Sequence, residues 1–228
     1  MTINFNILKS IKTNILKFMN QRTIIGLSIS AGVLLCLYYN LINILLWTMN
    51  VALIYDCCYS AYKLNMGYLK TGILFLVIIF FHYKLIDFYF VDPIASIMIV
   101  TISQVSDVYQ YLLGTQLGKN KIGWISQNKT YEGYIFGWIL TLCTFAPVIY
   151  FLQYWKHAQF MEDLNVKNSI IVVTIDYLLG VLGGLVSSLF KRLSGVKDYS
   201  NLLGPHGGWI DRIDSIIFPA LFHIFLGL

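Results

Sequence analysis

A long uncharged segment near the amino-terminal end constrains this chain most. From Thr23 to Tyr55 it contains no Asp, Glu, Lys or Arg. A helix needs about 20 apolar residues to cross a bilayer, so this segment has room for more than one crossing. Hydrophobic residues make up 57% of the chain and charged residues only 12%, whereas an ordinary soluble domain is about 25% charged. The sequence therefore predicts an all-α integral membrane protein and excludes a soluble globular domain or a disordered chain.

Apolar runs separated by polar connections predict about seven transmembrane helices. We place them at residues 24–40, 41–62, 70–88, 93–113, 134–155, 168–190 and 213–228. Six or eight crossings remain possible, because the third run contains His82 and Lys84, and the last run is short and contains Pro219.

Residues 1–22 have a different pattern. Apolar residues recur there at helical spacing, with four basic residues between them, Lys9, Lys12, Lys17 and Arg22. Such a basic amphipathic segment is expected to lie along an anionic lipid surface, and the alternative is a solvated basic tail. We therefore divide the chain into an N-terminal arm, residues 1–22, and a single transmembrane domain, residues 23–228, which contains the polar loops described below.

The distribution of basic residues predicts an orientation. With the amino terminus in the cytoplasm and seven crossings, thirteen of the sixteen Lys and Arg residues fall on the cytoplasmic side. Cytoplasmic loops normally carry such an excess. The two most polar loops, 114–133 and 191–212, then lie on the same side and can form one site. The net charge of +5 is small, and we expect no nucleic-acid partner.

Three carboxylates, Asp56, Asp107 and Asp176, fall within or near the predicted crossings. A carboxylate at the bilayer centre costs about 2.5–3.5 kcal/mol on insertion scales, so such residues usually face a cavity or a partner. Asp107 lies one or two turns before the polar loop that begins at Gly114, which favours a functional role. For Asp56 and Asp176 we favour a structural polar contact.

The densest polar region is residues 188–214, which we call the signature segment. It contains Ser188, Lys191, Arg192, Lys197, Asp198, His206, Gly207, Gly208, Asp211, Arg212 and Asp214. Asp211 and Asp214 are three residues apart, so at the start of a helix they share one face and suit Mg²⁺, which prefers oxygen ligands. Lysine and arginine can offset phosphate charge, and a Gly-Gly step lets backbone N–H groups approach an oxyanion. Each feature alone has an ordinary structural explanation, but together they predict a phosphate and metal site.

The spacing of the signature segment resembles the carboxy-terminal signature of phosphatidate cytidylyltransferases (CDP-diacylglycerol synthases). An upstream segment is similar as well. Residues 126–133, Ser-Gln-Asn-Lys-Thr-Tyr-Glu-Gly, resemble the family's Ser-Pro-Lys-Lys-Thr-Trp-Glu-Gly. Asp107 lies where the family has an Asp before its glycine-rich turn. The resemblance covers about residues 93–228.

Two positions depart from the family's pattern. Gly184 lies where many bacterial members carry an Asp that is thought to help bind metal, and Gly204-Pro205 reverses the usual Pro-Gly order. These departures motivate one alternative, a catalytically inactive membrane homologue. A second alternative is a CTP-dependent cytidylyltransferase that acts on another lipid phosphate.

The resemblance implies that the chain transfers the cytidylyl group of CTP to phosphatidate, releases pyrophosphate and uses Mg²⁺. The implied metal ligands are Asp107, Asp211 and Asp214. The implied catalytic residues are Asp211, Asp214, Lys191 and Lys197. The implied substrate contacts are Ser188, Arg192, His206, Gly207, Gly208, Arg212 and Lys129. A homodimer is the expected assembly.

Overall fold

The computed structural model of the chain describes residues 28, 31–32, 35–36, 39, 41–63, 76, 79–80, 83–84, 86–87, 89–90, 92–123, 125–126, 129–154, 166–193, 195–204 and 207–226. The N-terminal arm, most of the first and third predicted crossings, and His206 lie outside the described residues. Helices dominate the described residues, and no β-strand occurs among them. The all-α fold class is therefore confirmed.

Five helices have continuous bounds in the described part of the chain. They are α1 (Ile42–Lys63), α2 (Pro93–Leu117), α3 (Tyr131–Tyr154), α4 (Val166–Leu193) and α5 (Ile210–Leu226). Each coincides, within a few residues, with one predicted crossing. The total of seven crossings stays a prediction.

Side-chain caps decide where two of these helices begin. Asp92 precedes Pro93, and its Oδ1 accepts the N–H of Ala95 at 2.9 Å. An acidic N-cap followed by proline in the first turn is a favoured helix start. Thr130 caps α3 in the same way, because its hydroxyl oxygen accepts the N–H of Gly133 at 3.1 Å.

Helices α2, α3 and α4 pack against one another. Their buried apolar core contains Ile102, Phe145, Ile149 and Val173. Near the start of α3 the backbones approach closely, since a Cβ on Gly133 would lie 2.9 Å from the Cα of Gly114. This close approach brings the last turns of α2 beside the first turn of α3.

Among the described residues, two helices are long and apolar enough to cross a membrane, over Tyr131–Leu152 in α3 and Lys167–Leu193 in α4. Only 22% and 39% of their most apolar stretches are buried inside the structure. The buried core helix of a soluble protein would hide most of such a stretch, whereas lipid can cover an exposed apolar surface. These helices therefore indicate a membrane protein.

The chain divides into two compact units. One consists of residues 1–60 and 198–211, and the other of residues 61–197 and 212–228. Each unit contains its own group of charged side chains, and the two groups are described separately below. The predicted single domain over residues 23–228 stays a prediction.

Candidate active site

The loop between α2 and α3 is folded back on itself by hydrogen bonds. The N–H of Ile122 donates to the carbonyl of Lys129 at 3.1 Å, and the N–H of Tyr131 donates to the carbonyl of Asn120 at 3.0 Å. The Glu132 carboxylate accepts the backbone N–H and the side-chain amide of Asn120. The loop therefore has a defined shape that positions the side chain of Lys129.

The Lys129 ammonium lies among acidic and aromatic side chains. Its Nζ is 3.9 Å from Oδ1 of Asp107 and 5.5 Å from the ring centroid of Tyr134. Burial by itself would lower the pKa of Lys129. The attraction of its neighbours, led by Asp107 and including Tyr134 and Asp214, outweighs that effect and raises the pKa above its ordinary value. Lys129 therefore stays a cation at physiological pH.

A second ion pair adjoins the first. Lys191, in the last turn of α4, places its Nζ 3.7 Å from Oδ2 of Asp214 in α5. Asp214 also attracts Lys129, so the two pairs are linked. We call Asp107, Lys129, Lys191 and Asp214 the Asp–Lys cluster, and all four lie in one compact unit. A Cβ on Gly184 would be 3.4 Å from Nζ of Lys129, so this departure from the family pattern is located beside the cluster.

The other unit contains most of the loop between α4 and α5. There Oδ2 of Asp211 accepts the N–H groups of Tyr199 at 3.0 Å and Gly208 at 2.9 Å. Gly207 has a φ of 77°, which favours glycine, and its N–H donates to the carbonyl of Gly204 at 3.1 Å. Both glycine N–H groups therefore already have acceptors, in the loop and in the first turn of α5, and a phosphate could receive them only by displacing those acceptors.

Asp56 of α1 contacts the same loop. It is fully buried, and its carboxylate accepts the Ser200 hydroxyl at 2.5 Å and the N–H of Ile210 at 2.9 Å. One turn later, the Ser60 hydroxyl donates to the carbonyl of Tyr199 at 3.0 Å. The polar contact expected for Asp56 is confirmed, and its partners are the residues that lead into α5.

Asp176 also has a buried partner. Its Oδ1 lies 2.8 Å from Nε2 of His223, and both side chains are 2% exposed. The structural contact favoured for Asp176 is confirmed. The sequence did not single out His223, because one histidine in an apolar run forms no pattern.

The remaining predicted site residues, the catalytic candidate Lys197 and three substrate contacts, lie at more accessible positions. Arg192, Lys197 and Arg212 are exposed, and Ser188 is half-buried. Their predicted roles stay predictions, and the prediction for His206 concerns a residue outside the described part of the chain.

Sequence reasoning also missed Ser200 and Tyr134, which contact Asp56 and Lys129 respectively. A serine beside the charged part of the signature segment has no distinguishing spacing. Tyr134 directly follows the upstream motif, residues 126–133, which contains Lys129. This position next to the motif is the one sequence signal that could have indicated Tyr134.

The described carboxylates determine how Mg²⁺ could be held. Among the described residues, no three Asp, Glu, His or Cys side chains are grouped so that they could hold a metal ion by themselves. Mg²⁺ is usually bound by one or two carboxylates together with substrate phosphates. Asp107 and Asp214, which both attract Lys129, fit this mode. The residues therefore suit a metal–triphosphate complex better than a permanently held ion.

Comparisons with known proteins identify the family of the chain. The sequence profile described as "Cytidylyltransferase family" matches residues 10–228. The phosphatidate cytidylyltransferase of Staphylococcus haemolyticus is 39% identical over 115 residues, which are 50% of this chain and 41% of that protein. The Aquifex aeolicus protein of the same name is 29% identical over 163 residues, 71% of this chain and 58% of that protein. The Haemophilus influenzae protein is 36% identical over 126 residues, 53% and 42% of the two chains.

The chain thus spans about half the length of the curated relatives it matches. The profile match is more extensive, since it leaves out only the first nine residues. It includes both halves of the Asp–Lys cluster and the whole signature segment. The chain therefore belongs to the cytidylyltransferase family.

Proposed function

We propose that this chain is a membrane-bound CTP:phosphatidate cytidylyltransferase, which makes CDP-diacylglycerol and pyrophosphate. The Asp–Lys cluster carries the proposal, because it lies where two membrane-length helices begin and end. Helix α3 begins just after Lys129, and α4 ends just after Lys191. A charged lipid headgroup could contact the cluster there, while the apolar lipid tail contacts the apolar helices. The names of the relatives support the same activity.

The reaction requires no covalent bond to the protein. A phosphate oxygen of phosphatidate attacks the α-phosphorus of CTP and forms a new P–O bond. The bond from the α-phosphorus to the oxygen shared with the β-phosphate breaks, and its electron pair leaves with pyrophosphate. Positioning and charge stabilisation are the main contributions of a protein to such transfers. We expect Lys129 and Lys191 to stabilise the oxygens that gain negative charge.

The charge balance of the cluster supports this assignment. Two carboxylates face two ammonium groups, so the cluster alone is close to neutral. A bound Mg²⁺ would supply the additional positive charge that a triphosphate needs. Asp107 and Asp214 are the proposed ligands, and Lys129 and Lys191 would then turn from these carboxylates to phosphate oxygens. The role of Asp211 as a third ligand stays a prediction.

We further propose that the chain is a multi-pass protein with its amino terminus and active-site loops in the cytoplasm. The asymmetry of Lys and Arg residues supports this orientation. A second copy of the chain is a proposed partner, which is supported by the resemblance to the family.

The proposal is tested with purified full-length protein in mixed micelles that contain phosphatidate, Mg²⁺ and CTP labelled at its α-phosphate. We expect label to enter the lipid while an equal amount of pyrophosphate is released. Lys129→Met and Lys191→Met should each slow the reaction about tenfold or more. Lys121→Met is the matched control, because Lys121 is an exposed lysine of the same loop as Lys129.

The same assay, repeated with other lipid phosphates in place of phosphatidate, separates the alternatives. If correctly folded wild-type protein transfers no label to any lipid phosphate, the enzyme proposal is wrong. Label that enters another lipid phosphate but never phosphatidate would identify a different acceptor.

A further inference from the structure

A buried carboxylate on α1 orders the loop that leads into α5. Asp56 has an exposed fraction of 0%, and it accepts hydrogen bonds from the Ser200 hydroxyl and the N–H of Ile210. The Ser200 oxygen in turn accepts the N–H of Leu202 at 3.1 Å. One carboxylate therefore fixes the backbone on both sides of the loop's turn.

Gly208 shows how closely Asp56 approaches this loop. A Cβ at that position would overlap Oδ2 of Asp56 and would lie 2.8 Å from the Ser200 hydroxyl oxygen. The N–H of Gly208 donates to Asp211. A side chain on Gly208 would therefore either displace the Asp56 carboxylate or turn this N–H away from Asp211. Asp56, the loop and Asp211 form one connected network.

The cost of burial links Asp56 to the shape of the loop. A buried carboxylate without hydrogen-bond donors is strongly unfavourable, and all the partners named above lie between Tyr199 and Asp211. If the loop moved away, Asp56 would lose its donors. The carboxylate and the loop therefore stabilise each other in one arrangement.

We infer that Asp56 is a positioning residue of the active site, which holds the start of α5 and with it the direction of Asp211. The inference rests on the proposed function, because the signature segment is where CTP is expected to bind. Asp56 itself contacts the protein and acts through the loop. Its effect should therefore appear mainly in the KM for CTP and less in kcat.

The test compares Asp56→Asn with Asp176→Asn, which alters an equally buried carboxylate whose partner is His223. Hydrogen exchange of residues 199–210 reports on the loop, and steady-state kinetics report on the site. In Asp56→Asn we expect loop amides to exchange about tenfold faster and the KM for CTP to rise about tenfold, the size of one lost buried hydrogen bond. We expect kcat to change less than about threefold, and Asp176→Asn to leave the loop and the KM unchanged.

Ser200→Ala keeps the carboxylate and removes one donor, so it tests the inference even if Asp56→Asn does not fold. It should raise the KM for CTP about threefold, and the amides of residues 199–210 should again exchange faster than in the wild type. Wild-type KM and loop exchange in this variant, or an equal change in Asp176→Asn, would overturn the inference. An inert wild-type protein would contradict the proposed function instead, and loop exchange in the Asp56 and Ser200 variants would still decide whether the carboxylate holds the loop.

Discussion

Replacing Lys129 with Met tests the Asp–Lys cluster most directly. The substitution keeps an unbranched side chain and removes the ammonium that lies 3.9 Å from Asp107. Two unit charges at about 4 Å attract by about 1 kcal/mol in water and by about 4 kcal/mol at an effective dielectric constant of 20. The side chains of Lys129 and Asp107 are 31% and 37% exposed. Solvent therefore screens their attraction, and the energy lost with the ammonium should lie near the lower end of this range. About 1.4 kcal/mol, or tenfold in a binding constant, is the expected size.

The substitution should change two affinities in opposite directions. Without the ammonium, Asp107 and Asp214 lose a compensating charge, so Mg²⁺ alone should bind about tenfold more tightly. CTP in the presence of Mg²⁺ loses a phosphate contact, so CTP should bind about tenfold more weakly. A general structural defect would weaken both.

Isothermal titration calorimetry of the detergent-solubilised protein measures both affinities, first with Mg²⁺ alone and then with CTP at saturating Mg²⁺. Lys121→Met should leave both unchanged, because Lys121 is exposed on the same loop. Weaker binding of both ligands to Lys129→Met would refute the reasoning. So would an unchanged Mg²⁺ affinity, since Lys129 would then not compensate the two carboxylates.

Three further predictions concern the supporting structure. Gly208→Ala should raise the KM for CTP about tenfold, because its methyl group overlaps Asp56; Asp56→Ala in the same chain should weaken this effect in the radiolabel assay. Thr130→Val removes the cap of the Gly133 N–H and should cost about 1 kcal/mol of stability, seen as a lower Tm, whereas Thr130→Ser should retain the cap. The raised pKa of Lys129 keeps its ion pair intact below the ordinary value of 10.5, and the stabilisation is lost as pH rises through the raised value. CTP titrations from pH 7 to 11 should therefore show no loss of CTP affinity below pH 10 that is due to Lys129. A loss of affinity with a midpoint below pH 10 in the wild type, absent from Lys129→Met, would contradict the raised pKa.

Hydropathy located the five helices with described bounds well and their ends less well. The sequence places the start of one crossing at residue 134, but α3 begins at Tyr131 because Thr130 caps it. It ends another crossing at residue 190, but α4 continues through Lys191 and Arg192, whose charges are favoured at a helix carboxyl terminus. Capping and dipole effects act through single polar residues, which an apolar pattern does not register.

The sequence predicted which residue types form the candidate site, but it did not predict which of these residues contact one another. The pairing of Lys129 with Asp107, and of Lys191 with Asp214, depends on how four helices pack. Asp56 shows the same limit more strongly. Its partner Ile210 lies 154 residues later in the chain, and nothing in the apolar run around Asp56 indicates that contact.

The carboxylates differ in how they are held, and the difference bears on which of them could turn to the proposed metal–triphosphate complex. Asp56 and Asp211 each accept two hydrogen bonds of 3.0 Å or less from residues 199–210. Asp107 and Asp214 face lysine ammonium groups at 3.9 and 3.7 Å, beyond the usual charge-assisted hydrogen bond of about 2.7–2.9 Å. Withdrawing Asp211 would leave buried N–H donors without acceptors, at about 1–3 kcal/mol each. In the proposed complex, the lysine released by Asp107 would instead meet an incoming phosphate, so we expect Asp107 to turn to the metal at a lower cost than Asp211.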